Sequence, residues 1–354
     1  MKKKCKLFGL AVLVTAIVFS FAACKNGTTP TSTSTPTADP NVGKNWTAVP
    51  AGTGAGGSTF SATGQINAIA YGNGKFVAVG NGGEMAYSSD GATWTKINPS
   101  PLNTTITQTI AYGNGKFVAG NMDGQMAYST NGVNWTLIPA GTATGGSTFT
   151  GGSYEFIMAI AWGFNKFIAG GKAHMAYSTD GTTWTAVTTT PFAFDNNSDI
   201  NAIAWGNDKF VAVGKSPRIA YSTPDSHTSF TAVTTTSLGS NIIYGIAYGN
   251  NKFVAVGENG AMATSTDGTA WTAVTTTIFG SSDTIKAIAW GFNKFVAGCS
   301  SGGSSGTMAT SPDGVTWTAV TTSPFGTDGI RAIAYGNNRF VAGGAGGKIA
   351  YSTN

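Results

Sequence analysis

Apolar and polar positions along residues 45–354 fall into short runs that recur in a fixed order. Ala-Ile-Ala followed by Tyr or Trp and Gly comes first. Lys-Phe-Val-Ala follows, then Met-Ala-Tyr-Ser, then a polar turn and Trp-Thr. Short runs rich in β-branched and aromatic residues, bounded by Gly and Asn, read as strands. The repeated Phe marks the period. It stands at Phe76, Phe117, Phe167, Phe210, Phe253, Phe295 and Phe340, so seven copies follow one another at 41–50 residues. Four short strands at such a period predict an all-β protein, a seven-bladed β-propeller of four-stranded blades. The last copy stops at Tyr351-Ser352-Thr353-Asn354 and lacks its Trp-Thr strand. Asn45-Trp46-Thr47-Ala48-Val49, near the other end, has the missing pattern. This N-terminal strand is expected to complete the last blade by pairing with Lys348–Ser352, which would otherwise be an exposed edge.

Within the first full copy the pattern places strand A at Ile66–Tyr71, strand B at Lys75–Val79, strand C at Glu84–Ser88 and strand D at Thr93–Ile97. Gly72-Asn73-Gly74 and Asp90-Gly91 supply the turns that need positive φ. Side-chain size follows the taper of a propeller. Inner strands carry small residues, such as Ala68 and Ala70, Ala159 and Ala161, Ala202 and Ala204. Outer strands carry Met85, Met126, Met175, Met262 and Met308, then Trp46, Trp94, Trp135, Trp184, Trp271 and Trp317, with Phe230 in one Trp slot. Aromatic residues at a fixed repeat position read as core rather than as a sugar-stacking platform.

Composition changes the picture mainly at the N-terminus. Lys2, Lys3, Lys4 and Lys6 precede an apolar stretch from Leu7 to Phe21 that is short for a membrane span. It ends in Phe21-Ala22-Ala23-Cys24, which resembles a bacterial lipoprotein lipobox with Phe21 where Leu is usual. The resemblance implies that residues 1–23 are a signal peptide and that Cys24 is lipidated. Residues 24–44 would then be the lipidated cysteine and a flexible Ser/Thr/Pro tether, and residues 45–354 the propeller. Removing the four signal lysines leaves 16 basic residues against 15 acidic ones. So balanced a charge does not suggest a nucleic-acid partner. Cys299 alone remains in the propeller and is expected to be an inert loop thiol, without an intramolecular disulfide.

The stretch Ser88-Ser89-Asp90-Gly91-Ala92-Thr93-Trp94 resembles the Asp-box, or BNR repeat, of sialidase-like propellers, at a spacing one residue shorter than usual. Copies run from Ser178 to Trp184, Ser265 to Trp271 and Ser311 to Trp317, with Asn131 replacing Asp in another. The resemblance implies that Asp90, Asp180, Asp267 and Asp313 are structural, capping backbone N–H groups in turns on the face opposite the active site.

The copies agree at their A–B and C–D turns and disagree at their B–C loops and D-to-A connections. By propeller topology these are opposite faces, and the variable one is the candidate functional surface. One candidate set opens strand A beside the central channel: Asn67, Gln108, Met158, Asn201, Tyr244, Lys286 and Arg331. A second opens strand C beside the B–C loop: Glu84, Gln125, His174, Arg218, Ala261, Thr307 and Lys348. The insertions beginning Pro50-Ala51-Gly52-Thr53 and Pro139-Ala140-Gly141-Thr142 are near-copies that flank one blade and could wall a groove.

A sialidase needs three converging arginines. This chain has only Arg218, Arg331 and Arg339, and Arg339 takes the repeat slot of Lys75 and Lys116. Carboxylates on the variable face are scattered over different blades, and the sequence lets no pair for glycoside hydrolysis be inferred. His174 and His227 are the only histidines and lack ligand spacing, so neither metal nor other cofactor is expected. The expectation is a monomeric, membrane-anchored envelope lipoprotein, non-catalytic, that binds a protein or glycan through its variable face. The alternatives are a sialidase-like glycan hydrolase and a cell-envelope assembly or scaffold factor.

Overall fold

A computed structural model describes residues 42–50, 57–102, 105–140, 149, 156–172, 174–187, 190–192, 199–215, 219–225, 227–234 and 237–353. The signal segment, Cys24, the tether to residue 41, Arg218 and residues 51–56 and 141–148 of the two insertions lie outside the described residues.

Seven four-stranded antiparallel sheets form the protein. In blade one, strand A is Ile66–Gly72, B is Lys75–Gly80, C is Met85–Ser88 and D is Thr95–Lys96. The inner strands of blades two to seven are Thr107–Gly113, Ile157–Gly163, Ile200–Gly206, Ile243–Gly249, Thr284–Gly291 and Ile330–Gly336. Each inner strand contacts the next, and the seventh contacts the first, so the ring is closed. Strand D is shorter than its sequence pattern predicts because Trp94 belongs to the turn. Its Nε1–H donates to the Gly91 carbonyl at 3.1 Å. Asn45–Val49 pairs antiparallel with Ile349–Thr353, from Asn45 opposite Thr353 to Val49 opposite Ile349, and completes the seventh blade. Packing reaches slightly further back than residue 45. Val42 is buried in a core cluster, and the Gly43 carbonyl accepts the Trp46 indole N–H at 2.9 Å.

The two-residue A–B turns hold both residues at positive φ, as in Asn73 (46°) and Gly74 (72°), the geometry that matches strand twist. All seven repeated Phe side chains are wholly buried between blades, as are Met85, Met126, Met175, Met262 and Met308. The Gly that ends each inner strand has a different cause. A Cβ on Gly72 would stand 2.0 Å from the Tyr112 ring, and one on Gly113 would stand 2.2 Å from Trp162. The same clash recurs from Gly163 on Trp205 around to Gly336 on Tyr71. Each aromatic therefore lies on the glycine of the preceding blade, and the contacts close into a circle. Cys299 corrects an expectation. It is buried within strand Lys294–Ser301 of blade six, not in a loop, and burial pushes its thiol up to about 11.

Candidate functional site

The A–B and C–D turns share one face, and hydrogen bonds between neighbouring blades hold them there. Asn73 Nδ2 donates to the Thr130 carbonyl, Asn114 to Thr179, Asn207 to Thr266, Asn250 to Pro312 and Asn337 to Ser89, at 3.0–3.2 Å. Lys116 and Lys209 reach the carbonyls of Asp180 and Asp267, and Arg339 reaches that of Asp90 at 2.7 Å. Arg339 thus occupies the same structural slot as the lysines. Within each turn the carboxylate caps its own backbone. Asp180 Oδ1 accepts the N–H groups of Thr182 and Thr183, both at 2.7 Å, and the Ser178 hydroxyl at 3.0 Å. Asp90, Asp267 and Asp313 repeat this geometry, and Asn131 Oδ1 does the same without a charge. Although partial burial opposes ionisation, these donors hold the four carboxyls below the usual range.

The opposite face is built differently. In each blade the A–B pairing skips one residue near the start of strand A, between Ile66 and Ala68 and at the matching place in all seven sheets. The skipped residues are Asn67, Gln108, Met158, Asn201, Tyr244, Lys286 and Arg331. Each is the extra residue of a β-bulge, which takes a side chain out of the regular alternation and re-aims it. All seven line one cavity of about 240 Å³ at the channel mouth. Deeper in, this cavity shares Ile160 and Ile203 with a second one of about 200 Å³, which opens among Tyr71, Trp162, Trp205, Tyr248, Trp290 and Tyr335. The channel thus runs from a polar mouth through an isoleucine waist to an aromatic end.

The mouth is asymmetric. On one side Asn67 Nδ2 donates to Asn81 Oδ1 at 2.9 Å and to the Thr107 carbonyl of the next blade at 3.1 Å. Asn201 Nδ2 likewise reaches the Ile243 carbonyl at 3.0 Å. On the other side three consecutive blades contribute Tyr244, Lys286 and Arg331. Lys286 Nζ lies 4.6 Å from the centre of the Tyr244 ring, a cation–π contact. The Tyr244 hydroxyl donates to Glu258 Oε1 at 3.3 Å, and Glu258 Oε2 also accepts the Ile242 N–H at 3.2 Å. Burial, reinforced by the neighbouring Arg331 charge and opposed by Glu258, pulls the Lys286 ammonium down to about 8. Burial also lowers Arg331, and burial with Glu258 raises the Tyr244 phenol.

None of the described residues of the second predicted set lines the mouth cavity. Glu84 accepts the Ser61 N–H at 3.1 Å and faces Lys96 at 3.8 Å. His174 Nδ1 bonds the Lys172 carbonyl at 2.9 Å, and its ring edges against Phe149. Lys348 pairs with Asp328 and donates to the Phe325 carbonyl at 3.4 Å. These residues fasten loops to strands. Arg218 lies outside the described residues. Among the described residues, no cluster of three or more His, Cys, Asp and Glu could hold a metal.

One arrangement escaped the sequence reading. Ser222 Oγ lies 3.5 Å from His227 Nδ1, and His227 Nε2 lies 3.8 Å from Asp208 Oδ1. The residue types match a hydrolytic triad, but both separations are long and Ser222 is wholly buried. Its hydroxyl accepts the Phe210 N–H at 2.9 Å, as Ser352 accepts that of Phe340. Ser222 is therefore a structural serine of the repeat.

Residues 178–324 match a family model described as the DUF6242 beta propeller domain. No curated protein matches the sequence significantly. In fold the chain is similar to YCF48 bound to a D1 peptide, at 14% identity and a TM-score of 0.65 over 88% of this chain and 97% of that one. YCF48 from Cyanidioschyzon merolae gives 17% identity and a TM-score of 0.63 over 87% and 98%. A catalytically inactive virginiamycin B lyase from Staphylococcus aureus with quinupristin gives 11% and 0.68 over 87% and 99%. At these identities the likeness shows the fold.

Proposed function

We propose that this chain is a non-catalytic binding protein that holds a protein or glycan ligand on its variable face, centred on the channel mouth. One observation carries the reading. Seven bulges aim the one freely varying residue of each inner strand into a single cavity, while the flanking Ile and small residues scarcely change. A scaffold held constant around a ring of varied side chains is how rigid folds present binding groups. Structures of the same architecture include one with a bound peptide and one of a lyase, so the fold alone chooses neither. The residues favour binding. At the mouth the Tyr244 hydroxyl meets the Glu258 carboxylate, but burial and that charge raise the phenol and so oppose its ionisation, and the serine–histidine contact is buried among structural groups.

The lipobox resemblance at Cys24 and the polar segment after it support an envelope lipoprotein whose propeller stands off the membrane on a tether. Affinity capture from the native envelope, with soluble residues 25–354 as bait, tests the function. A parallel bait carries Tyr244→Ala, Lys286→Ala and Arg331→Ala. A partner kept by the first bait and lost by the second is the expected result. Equal capture by both would remove the channel mouth as the binding site.

A further inference from the structure

The cationic side of the mouth has only a distant counter-charge, Glu258, which acts on Lys286 through space. Lys286 and Arg331 take the same bulged slot on adjacent blades, line the same cavity and are both largely withdrawn from water. Among the described residues, neither is within ion-pair distance of a carboxylate. The acidic groups nearby are otherwise engaged or outside that distance. Glu258 accepts the Tyr244 hydroxyl and the Ile242 N–H, and Asp199 acts on Tyr244 only through space. Two like charges brought together and partly desolvated oppose folding unless something else gains from them. Next round the ring from Arg331, Asn67 lines the same cavity. Its buried Oδ1 has no hydrogen-bond partner among the described residues.

We propose that the channel mouth is an oxyanion site, in which a carboxylate or phosphate group of the ligand docks between Lys286 and Arg331. The guanidinium offers a planar pair of donors, the ammonium a point charge and the Tyr244 ring a wall beside it. The cavity, at about 240 Å³, has room for one terminal residue or one sugar. This rests on the reading of the variable face as the binding face, and it adds the chemistry of the group that enters.

Three arginines make the test simple, because the Nε–Hε region of a 1H–15N spectrum of residues 25–354 then holds three signals. Arg331→Gln assigns one of them. Sodium acetate and sodium phosphate are titrated in turn against sodium chloride of equal ionic strength. The expected result is a saturable shift of the Arg331 signal with at least one oxyanion and not with chloride. Saturation by acetate or by phosphate identifies the source of the group. Lys286→Gln should weaken that binding at least tenfold while leaving the Arg339 signal in place. No saturable shift with either anion, or an unchanged titration in Lys286→Gln, overturns the proposal. Capture of a partner together with no anion shift would leave the binding face standing and sink the oxyanion site alone.

Discussion

At residue scale, the positions that break the repeat are those whose neighbours break it too. Five A–B turns begin with Asn, whose amide reaches the C–D turn of the next blade. Phe164 and Phe292 begin the other two, at φ of 44° and 46°, which is strained for a bulky side chain. Phe292 packs in the cluster that holds Trp46, where the seventh blade is closed by the N-terminal strand instead of a C–D turn. Phe164 meets the only C–D turn without the box, and its ring lies 4.2 Å from that of His227. His227 is wholly buried, at φ 55°, and also edges against Trp205 at 5.0 Å. Burial, aided by Lys166 and opposed by Asp208, holds its pKa below the ordinary value, so the folded protein keeps it neutral. An unfolded histidine takes up a proton near pH ~6.5. Stability from this residue is therefore complete above that pH and declines as the pH falls toward the folded pKa. Melting curves from pH 7.5 to 5 should show this decline, and His227→Asn, which tolerates the left-handed backbone, should flatten it. Trp94 gives the matching test of the core. It is buried at 5% exposure with its indole N–H bonded, so Trp94→Ala should cost about 3–5 kcal/mol in denaturant unfolding.

At the scale of the element, the C–D turn explains why the box tolerates Asn131. What the turn needs is an oxygen placed to accept two backbone N–H groups, and a carboxamide supplies it as well as a carboxylate. Asp180→Asn should cost less at pH 7 than removal of the side chain, because the amide keeps the acceptor and loses only the charge. Asp180→Ala should lose about 1–3 kcal/mol, because the two N–H groups lose their acceptor. The charged form adds one difference. The folded carboxyl lies below its unfolded value, so its contribution is present above about pH 4 and fades as the pH falls through the folded pKa. The Asn variant should therefore lose less stability than the parent between pH 5 and 2. The inner strand shows where sequence reading stops. Its variable slot was legible, because Asn, Gln, Met, Asn, Tyr, Lys and Arg stand between unchanging neighbours. The bulge was not, since one extra residue leaves no mark in an apolar pattern. Nor was the aromatic-on-glycine contact, which joins residues 40 to 49 positions apart in successive blades, and Gly336 with Tyr71 across the seam. The partners of the C-strand set were hidden for a related reason. Glu84, His174 and Lys348 vary between copies because each fastens a different loop, and variation of that kind resembles a binding surface until its partners are seen.

For the whole molecule, the ring is closed by two devices of unequal strength. The fold, the number of blades and the shared seventh sheet all follow from a period and a missing strand, which is why they could be read without coordinates. The strength of closure depends on contacts that the period does not carry. One device is the circle of aromatics on glycines. It crosses the seam between blades seven and one at Gly336 and Tyr71 and uses no residue of the N-terminal strand. The other is Asn45–Val49, whose five register pairs complete the last sheet and bury Val49 and much of Trp46. If the circle alone sufficed, removing the strand would leave a closed ring with one exposed edge. Burying two such side chains contributes about 3–6 kcal/mol, however, and Val42 and Gly43 add to the same cluster. At about 2–4 °C per kcal/mol for a large domain, deletion of residues 25–49 should lower the melting temperature by about 10 °C or more. Deletion of residues 25–40 removes none of these contacts and should leave it within about 2 °C of the parent. Equal melting temperatures for the two truncations would assign closure to the aromatic circle and make the N-terminal strand dispensable.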